Sequence, residues 1–161
     1  MKSINKKEGV ALKGHWKITI RDVKTGKVKR IYHQDNIIPT VGRTLLANNL
    51  TNSSPDNDPR INYTALGTGS TAVANTDTTL DTETYRTTTA SSTNSNNVAY
   101  VTAFYTATEC NGTYKEAGLF CNGTGAADSG VLFSRVLLNA PSGIAKTVTE
   151  TLTVDYTITI Q

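Results

Sequence analysis

From Thr151 to Ile160 large apolar and small polar residues alternate without a break. Leu152, Val154, Tyr156, Ile158 and Ile160 fall on one face, and Thr151, Thr153, Asp155, Thr157 and Thr159 on the other. A period of two is the mark of a strand with one buried face. The same period runs through 16–23, with Trp16, Ile18 and Ile20 opposite Lys17, Thr19 and Arg21. Lys24-Thr25-Gly26-Lys27 reads as a turn, and Val28 to Gln34 returns as the second strand of a hairpin. Further strands are expected at Tyr63–Leu66, at 98–106 with Tyr100 and Phe104 on one face, at 113–120 and at 131–137.

Only one segment carries a helical period. Thr40 is placed to cap it, and Val41, Leu45, Leu46 and Ala47 share a face across 41–50. Gly42 weakens this helix by up to about 1 kcal/mol relative to alanine. Residues 51–59, with two prolines, form a loop, and the apolar-poor stretch 87–97 is read as another. Seven or eight strands punctuated by Gly, Asn and Pro predict an all-β protein. The expected architecture is an antiparallel β-sandwich over 15–161 with one short helix, preceded by an extended N-terminal arm at 1–14. A chain of 161 residues suits one such domain.

The stretch 61–86 interrupts the regular pattern. A short strand breaks at Gly67 and Gly69, where glycine permits a positive φ. A threonine-rich excursion follows, with one large apolar residue, Leu80, placed to pin it to the sheet, and it closes on Glu83 and Arg86. Glu116 stands among residues that read as buried, in Lys-Glu-Ala-Gly-Leu-Phe. A buried carboxylate needs a partner. Arg86 is the expected one, tying the excursion to the sheet.

Composition favours β-structure with polar loops: aromatics make up 7% and charged residues 18%, and Thr, Asn, Ser and Gly are abundant. The net charge of +3 conceals a split. Residues 1–50 carry eleven Lys and Arg against three acids, and residues 51–161 carry five against ten. This predicts a basic front that docks on an acidic surface, a neighbouring copy included. In the arm, Lys2, Ile4, Lys6, Lys7, Val10, Leu12 and Lys13 are the candidate docking residues. Direct nucleic-acid binding is disfavoured, because the lysines alternate with ordinary strand residues rather than with stacking aromatics.

No run approaches the roughly 18 apolar residues of a membrane helix, and the basic first residues lead into no signal-peptide core, so a protein made in a cytoplasm is expected. Cys110 and Cys121 have no metal-ligand spacing; they would pair only if they fell on neighbouring strands, and free, partly buried thiols are the favoured reading. Asp56 and Asp58 lack the further carboxylates of a calcium loop. Gly67-Thr68-Gly69 lacks the Lys-Ser/Thr and the helix of a phosphate cradle. His15 and His33 lie on strands away from any nucleophile, and Asp77, Asp81 and Glu83 lie in one turn-rich loop, so no catalytic constellation emerges. The expectation is a non-enzymatic protein with no cofactor and no metal.

Several segments resemble, in order, a pattern seen in small structural proteins of tailed bacteriophages. They are Thr64-Ala65-Leu66-Gly67-Thr68-Gly69, Asp77-Thr78-Thr79-Leu80 with Glu83 and Arg86, 115–120, Leu132-Phe133-Ser134-Arg135, and the closing strand 152–160. The basic hairpin, Asn36-Ile37-Ile38 and the Gly-containing helix are also similar. The resemblance implies a virion component made in the bacterial host. Its partner would be the major capsid protein, if it is a capsid decoration protein, or tail proteins, if it is a tail, fibre or baseplate subunit. Such proteins act in many copies, and a trimer is the favoured assembly. A carbohydrate-binding module is the remaining reading, and it would want exposed aromatics.

Overall fold

The computed structural model describes residues 11–51 and 58–161. Among these the chain forms eleven strands and one helix: β1 (Leu12–Asp22), β2 (Val28–Asp35), α1 (Thr40–Thr51), β3 (Ile61–Gly67), β4 (Glu83–Thr88), β5 (Ser91–Ser95), β6 (Val98–Tyr105), β7 (Gly112–Tyr114), β8 (Glu116–Cys121), β9 (Val131–Leu137), β10 (Ile144–Lys146) and β11 (Glu150–Ile160). A five-stranded sheet in the order β2-β1-β11-β6-β5 packs on a four-stranded sheet in the order β4-β3-β8-β9, and β10 pairs with β7 as a small third sheet. All pairings are antiparallel. The protein is an all-β sandwich.

The alternating segments build the core as their period requires. Trp16, Ile18 and Ile20 of β1, Val101, Ala103 and Tyr105 of β6, and Leu152, Val154 and Tyr156 of β11 point inward. They meet Leu66, Ala117, Leu119 and Val136 of the second sheet in one apolar cluster. Two hydrogen bonds stitch the sheets within it: Trp16 Nε1 donates to Ser134 Oγ at 3.1 Å, and the Tyr105 hydroxyl to the Thr64 carbonyl at 3.1 Å. Tyr100 and Phe104 do share a face, and it is the exposed outer one.

Several boundaries differ from the sequence reading. Leu12, Lys13 and Gly14, expected in an arm, belong to β1 and pair with Ile160, Thr159 and Ile158. Lys2, Ile4, Lys6, Lys7 and Val10 lie outside the described residues, as does Asp56. The helix begins at Thr40, whose hydroxyl accepts from the Arg43 guanidinium at 3.1 Å, while the Arg43 N–H bonds back to the Pro39 carbonyl. Gly42, read as a weakness, lets α1 lie on β9. A Cβ there would sit 3.0 Å from the Leu132 carbonyl oxygen and from Phe133 Cα. The stretch 87–97 is no loop but holds the end of β4 and all of the edge strand β5. The expected strand 113–120 is two strands. It changes sheet at Lys115, whose N–H bonds to the Gly67 carbonyl.

Candidate functional site: a buried ionic clasp on the outer face of the second sheet

Outward-facing residues of β8 and β9 place Glu116 and Arg135 on the outer face of the four-stranded sheet, where the excursion 68–82 covers them. Glu116 is 0% and Arg135 2% exposed. Arg135 Nε and Nη2 both approach Glu116 Oε2 at 2.9 Å. Glu116 Oε1 accepts the N–H of Thr82 at 2.7 Å and of Gly69 at 3.2 Å, and Oε2 accepts the N–H of Asp81 at 3.1 Å. One carboxylate thus gathers three backbone donors from the two ends of the excursion. Arg135 takes its middle: Nη1 donates to Asp77 Oδ2 at 2.7 Å and Nη2 to the Thr71 carbonyl at 3.1 Å. Burial works to lower the Arg135 pKa, but its hydrogen bonds to Asp77 and Glu116 prevail and raise it. The guanidinium stays charged.

Leu80 completes the clasp. It packs with Ala65, Phe120 and Leu132 in a second apolar cluster on this outer face, separate from the main core. It sits over Gly118, where a Cβ would lie 2.8 Å from Leu80 Cδ2. Gly67 and Gly69 are needed for space rather than for the positive φ expected of them, since neither is among the positive-φ glycines. At Gly67 a Cβ would meet the Thr82 carbonyl oxygen at 2.5 Å and Glu116 Oε1 at 2.6 Å, and at Gly69 it would run into Asp81 Cβ and Glu116 Oε1. Asp81 closes the first turn of the excursion. Its Oδ2 accepts from the Thr71 hydroxyl at 2.7 Å and from the N–H groups of Thr71 and Ser70, and these bonds, the hydroxyl first, lower its pKa.

The expected Arg86–Glu116 pair does not form. Arg86 turns instead to Glu83, three residues back: Nε meets Oε1 at 2.5 Å and Nη2 meets Oε2 at 2.7 Å. Its Nη1 donates to the Thr124 carbonyl at 2.8 Å and to Ser129 Oγ at 2.7 Å, fastening the β8–β9 connection. The guanidinium carbon lies 4.8 Å from the Phe120 ring centroid and 5.4 Å from that of Tyr63. The reading missed Arg135, whose signal was a single charge inside the apolar strand 131–137. It also missed Asp77, set among other acids of the same loop.

A further buried ion is Lys146. Lys146, 2% exposed, points its ammonium at the Glu109 carbonyl at 2.7 Å, Asn111 Oδ1 at 3.1 Å and the Ala107 carbonyl at 3.3 Å. Burial lowers its pKa. Cys110 and Cys121 are free and buried, and burial pushes each thiol up to about 12. Asp58 pairs with Arg60. Among the described residues no group of three or more His, Cys, Asp or Glu side chains is placed to hold a metal ion.

Every charge of the clasp has protein partners, and each of the three Arg135 nitrogens named above makes at least one bond to them. That arrangement organises a loop. Exposed positive charge lies on the opposite sheet, where edge strand β2 and its turn present Lys24, Lys27, Lys29 and Arg30 beside Val28 and Ile31. Of these, Lys29 and Arg30 reach Glu150 Oε1 at 3.3 and 2.8 Å. Gly26 supplies the turn with φ at 68°. No family model matches the chain, and no characterised protein or solved structure was found to be similar to it.

Proposed function

We propose that the protein is a non-enzymatic structural component of a tailed-phage virion that docks on an acidic partner through its basic edge hairpin. The observation that carries this reading is the exposed, lysine-rich edge formed by β2 and the β1–β2 turn. Positive charge of this density blunts the edge against indiscriminate strand pairing and steers it toward an acidic surface. The sequence adds Lys2, Lys6 and Lys7 ahead of β1. The clasp supports the same reading from the other side, since its ions are engaged in holding the loop rather than poised for proton transfer. Decoration of the capsid, with the major capsid protein as partner and a homotrimer as the acting unit, is the favoured assignment. Many weak copies on a lattice gain by multivalency.

The test is to add purified protein to undecorated capsids at increasing salt. Saturable, salt-sensitive binding that is lost in a Lys24→Glu/Lys27→Glu variant is the expected result. Deleting residues 1–10, which leaves β1 whole, measures the share of the candidate arm. Binding to isolated tails in place of capsids would reassign the protein to the tail, fibre or baseplate. Absence of binding to either would overturn the reading.

A further inference from the structure

The hairpin brings together two residues that stand 18 apart in sequence. On the outer face of β1 and β2, His15 lies opposite Asp35 and Lys17 opposite His33, so the two imidazoles are diagonal neighbours. His15 Nε2 is 3.0 Å from His33 Nδ1, and His15 Nδ1 is 3.2 Å from Asp35 Oδ1. The ring planes are inclined by only 24°. An ionised carboxylate only accepts, so the neutral His15 ring carries its proton on Nδ1 and presents a lone pair at Nε2. Two ring nitrogens at 3.0 Å attract only with a proton or a cation between them. His33 Nδ1–H supplies that proton in the absence of any other ion.

The geometry points to a two-histidine site for a first-row transition ion of the Zn2+, Ni2+ or Cu2+ class, with His15 Nε2 and His33 Nδ1 as ligands and Asp35 holding His15 from behind. The carboxylate on the far nitrogen is the arrangement that fixes the tautomer and raises the basicity of a metal-bound imidazole. Binding moves the His33 proton from Nδ1 to Nε2, so no proton is lost from a neutral pair. The rings must turn more than separate: two bonds of about 2.0–2.1 Å meeting at roughly 90–110° span about 2.9–3.4 Å, close to the 3.0 Å between the nitrogens, but both lone pairs must aim at a point off the line joining them. Both side chains are exposed and have room to do so. Water completes the coordination shell. Lys17, on the same face, opposes the ion, and Asp35 offsets it. The bound ion would link edge strand β2 to β1, whatever the protein docks on.

Calorimetric titration of the full chain with ZnCl2 and NiCl2 tests the site. One ion per chain is expected. His15→Gln or His33→Gln should weaken binding more than tenfold, and Asp35→Asn by about tenfold. Lys17→Gln should tighten it. The metal should raise the unfolding temperature of the wild type and leave both histidine variants unmoved. Near-UV circular dichroism reports whether the variants keep the fold. Folded variants that bind as well as the wild type, or a wild type that takes up no ion, would overturn the proposal.

Discussion

Removing the guanidinium of Arg135 should be among the most damaging single changes this chain can suffer. Arg135→Met keeps much of the aliphatic stem but leaves Glu116, 0% exposed, as an unpaired buried charge. It also strips Asp77 and the Thr71 carbonyl of their donors. Breaking one side of a buried pair costs about 3–5 kcal/mol. For a chain of this size that lowers the melting temperature by on the order of 10 °C. With a urea slope of about 2 kcal/mol/M it shifts the unfolding midpoint by about 2 M. Glu116→Gln, which weakens the acceptor for three N–H groups, should cost about 1–3 kcal/mol. Once the Glu116 carboxylate is neutral, the loss of Arg135 leaves no unpaired charge at that position, although Asp77 still loses its partner, so the double variant should cost less than the sum by about 1–3 kcal/mol. Trp16, the single tryptophan and fully buried, reports the transition by fluorescence. Additivity of the two losses within about 0.5 kcal/mol would refute the pairing. The control is Arg86→Met with Glu116→Gln, which should add, because Arg86 spends its charge on Glu83.

Other outcomes follow from the same geometry. Gly67→Ala and Gly69→Ala should each cost about 1–3 kcal/mol in urea melts, since their Cβ atoms collide with the clasp rather than with solvent. Leu80→Ala should cost about 2–3 kcal/mol, and limited proteolysis should then cut within 68–82 first. On the alkaline side, the Cys110 and Cys121 thiols and the Tyr156 hydroxyl are each pushed up to about 12 by burial. Their stabilising contribution is complete below the thiol's unfolded pKa of about 8.5 and is lost as pH rises toward 12, so urea midpoints should fall between pH 8.5 and 11. On the acid side, the Asp81 pKa is lowered by its Thr71 bonds. That of Glu150 is lowered by the Thr147 N–H and Arg30, against a burial effect that acts to raise it. Stability should therefore fall as pH drops below about 4.

Where burial enforces a period of two, the sequence was legible. The inward faces of β1 and β11 could be read residue by residue. Where a strand is short or fully exposed, the period carries no signal. The five residues of β5 are all exposed and polar, and β7 and β10 are three residues long, so nothing in their composition separates them from loops. On β6 the aromatics Tyr100 and Phe104 lie on the exposed face, and the smaller Val101 and Ala103 set the inner face together with Tyr105. The need for a partner at Glu116 was legible, since a charge in Ala-Gly-Leu-Phe surroundings cannot stand alone. Its identity was not, because cross-strand register decides it. In the β8–β9 register Gly118 faces Arg135, which leaves the guanidinium within reach of Glu116, two residues along on the same face. The His15–His33 pair was not legible, because the register that makes them neighbours includes an irregularity between Ile20 and Arg21 that the Lys24–Lys27 turn does not dictate.

The central claim is that Glu116 and Arg135 hold the excursion 68–82 closed on the sheet. Amide hydrogen exchange at Gly69, Asp81 and Thr82, the three donors to Glu116, tests it most directly. The account predicts wild-type protection close to that of the β1–β11 pairing, and its collapse at these three amides in Glu116→Gln while β1 and β11 remain protected. Fast exchange at the three amides in the wild type, or protection unchanged in the variant, would contradict it.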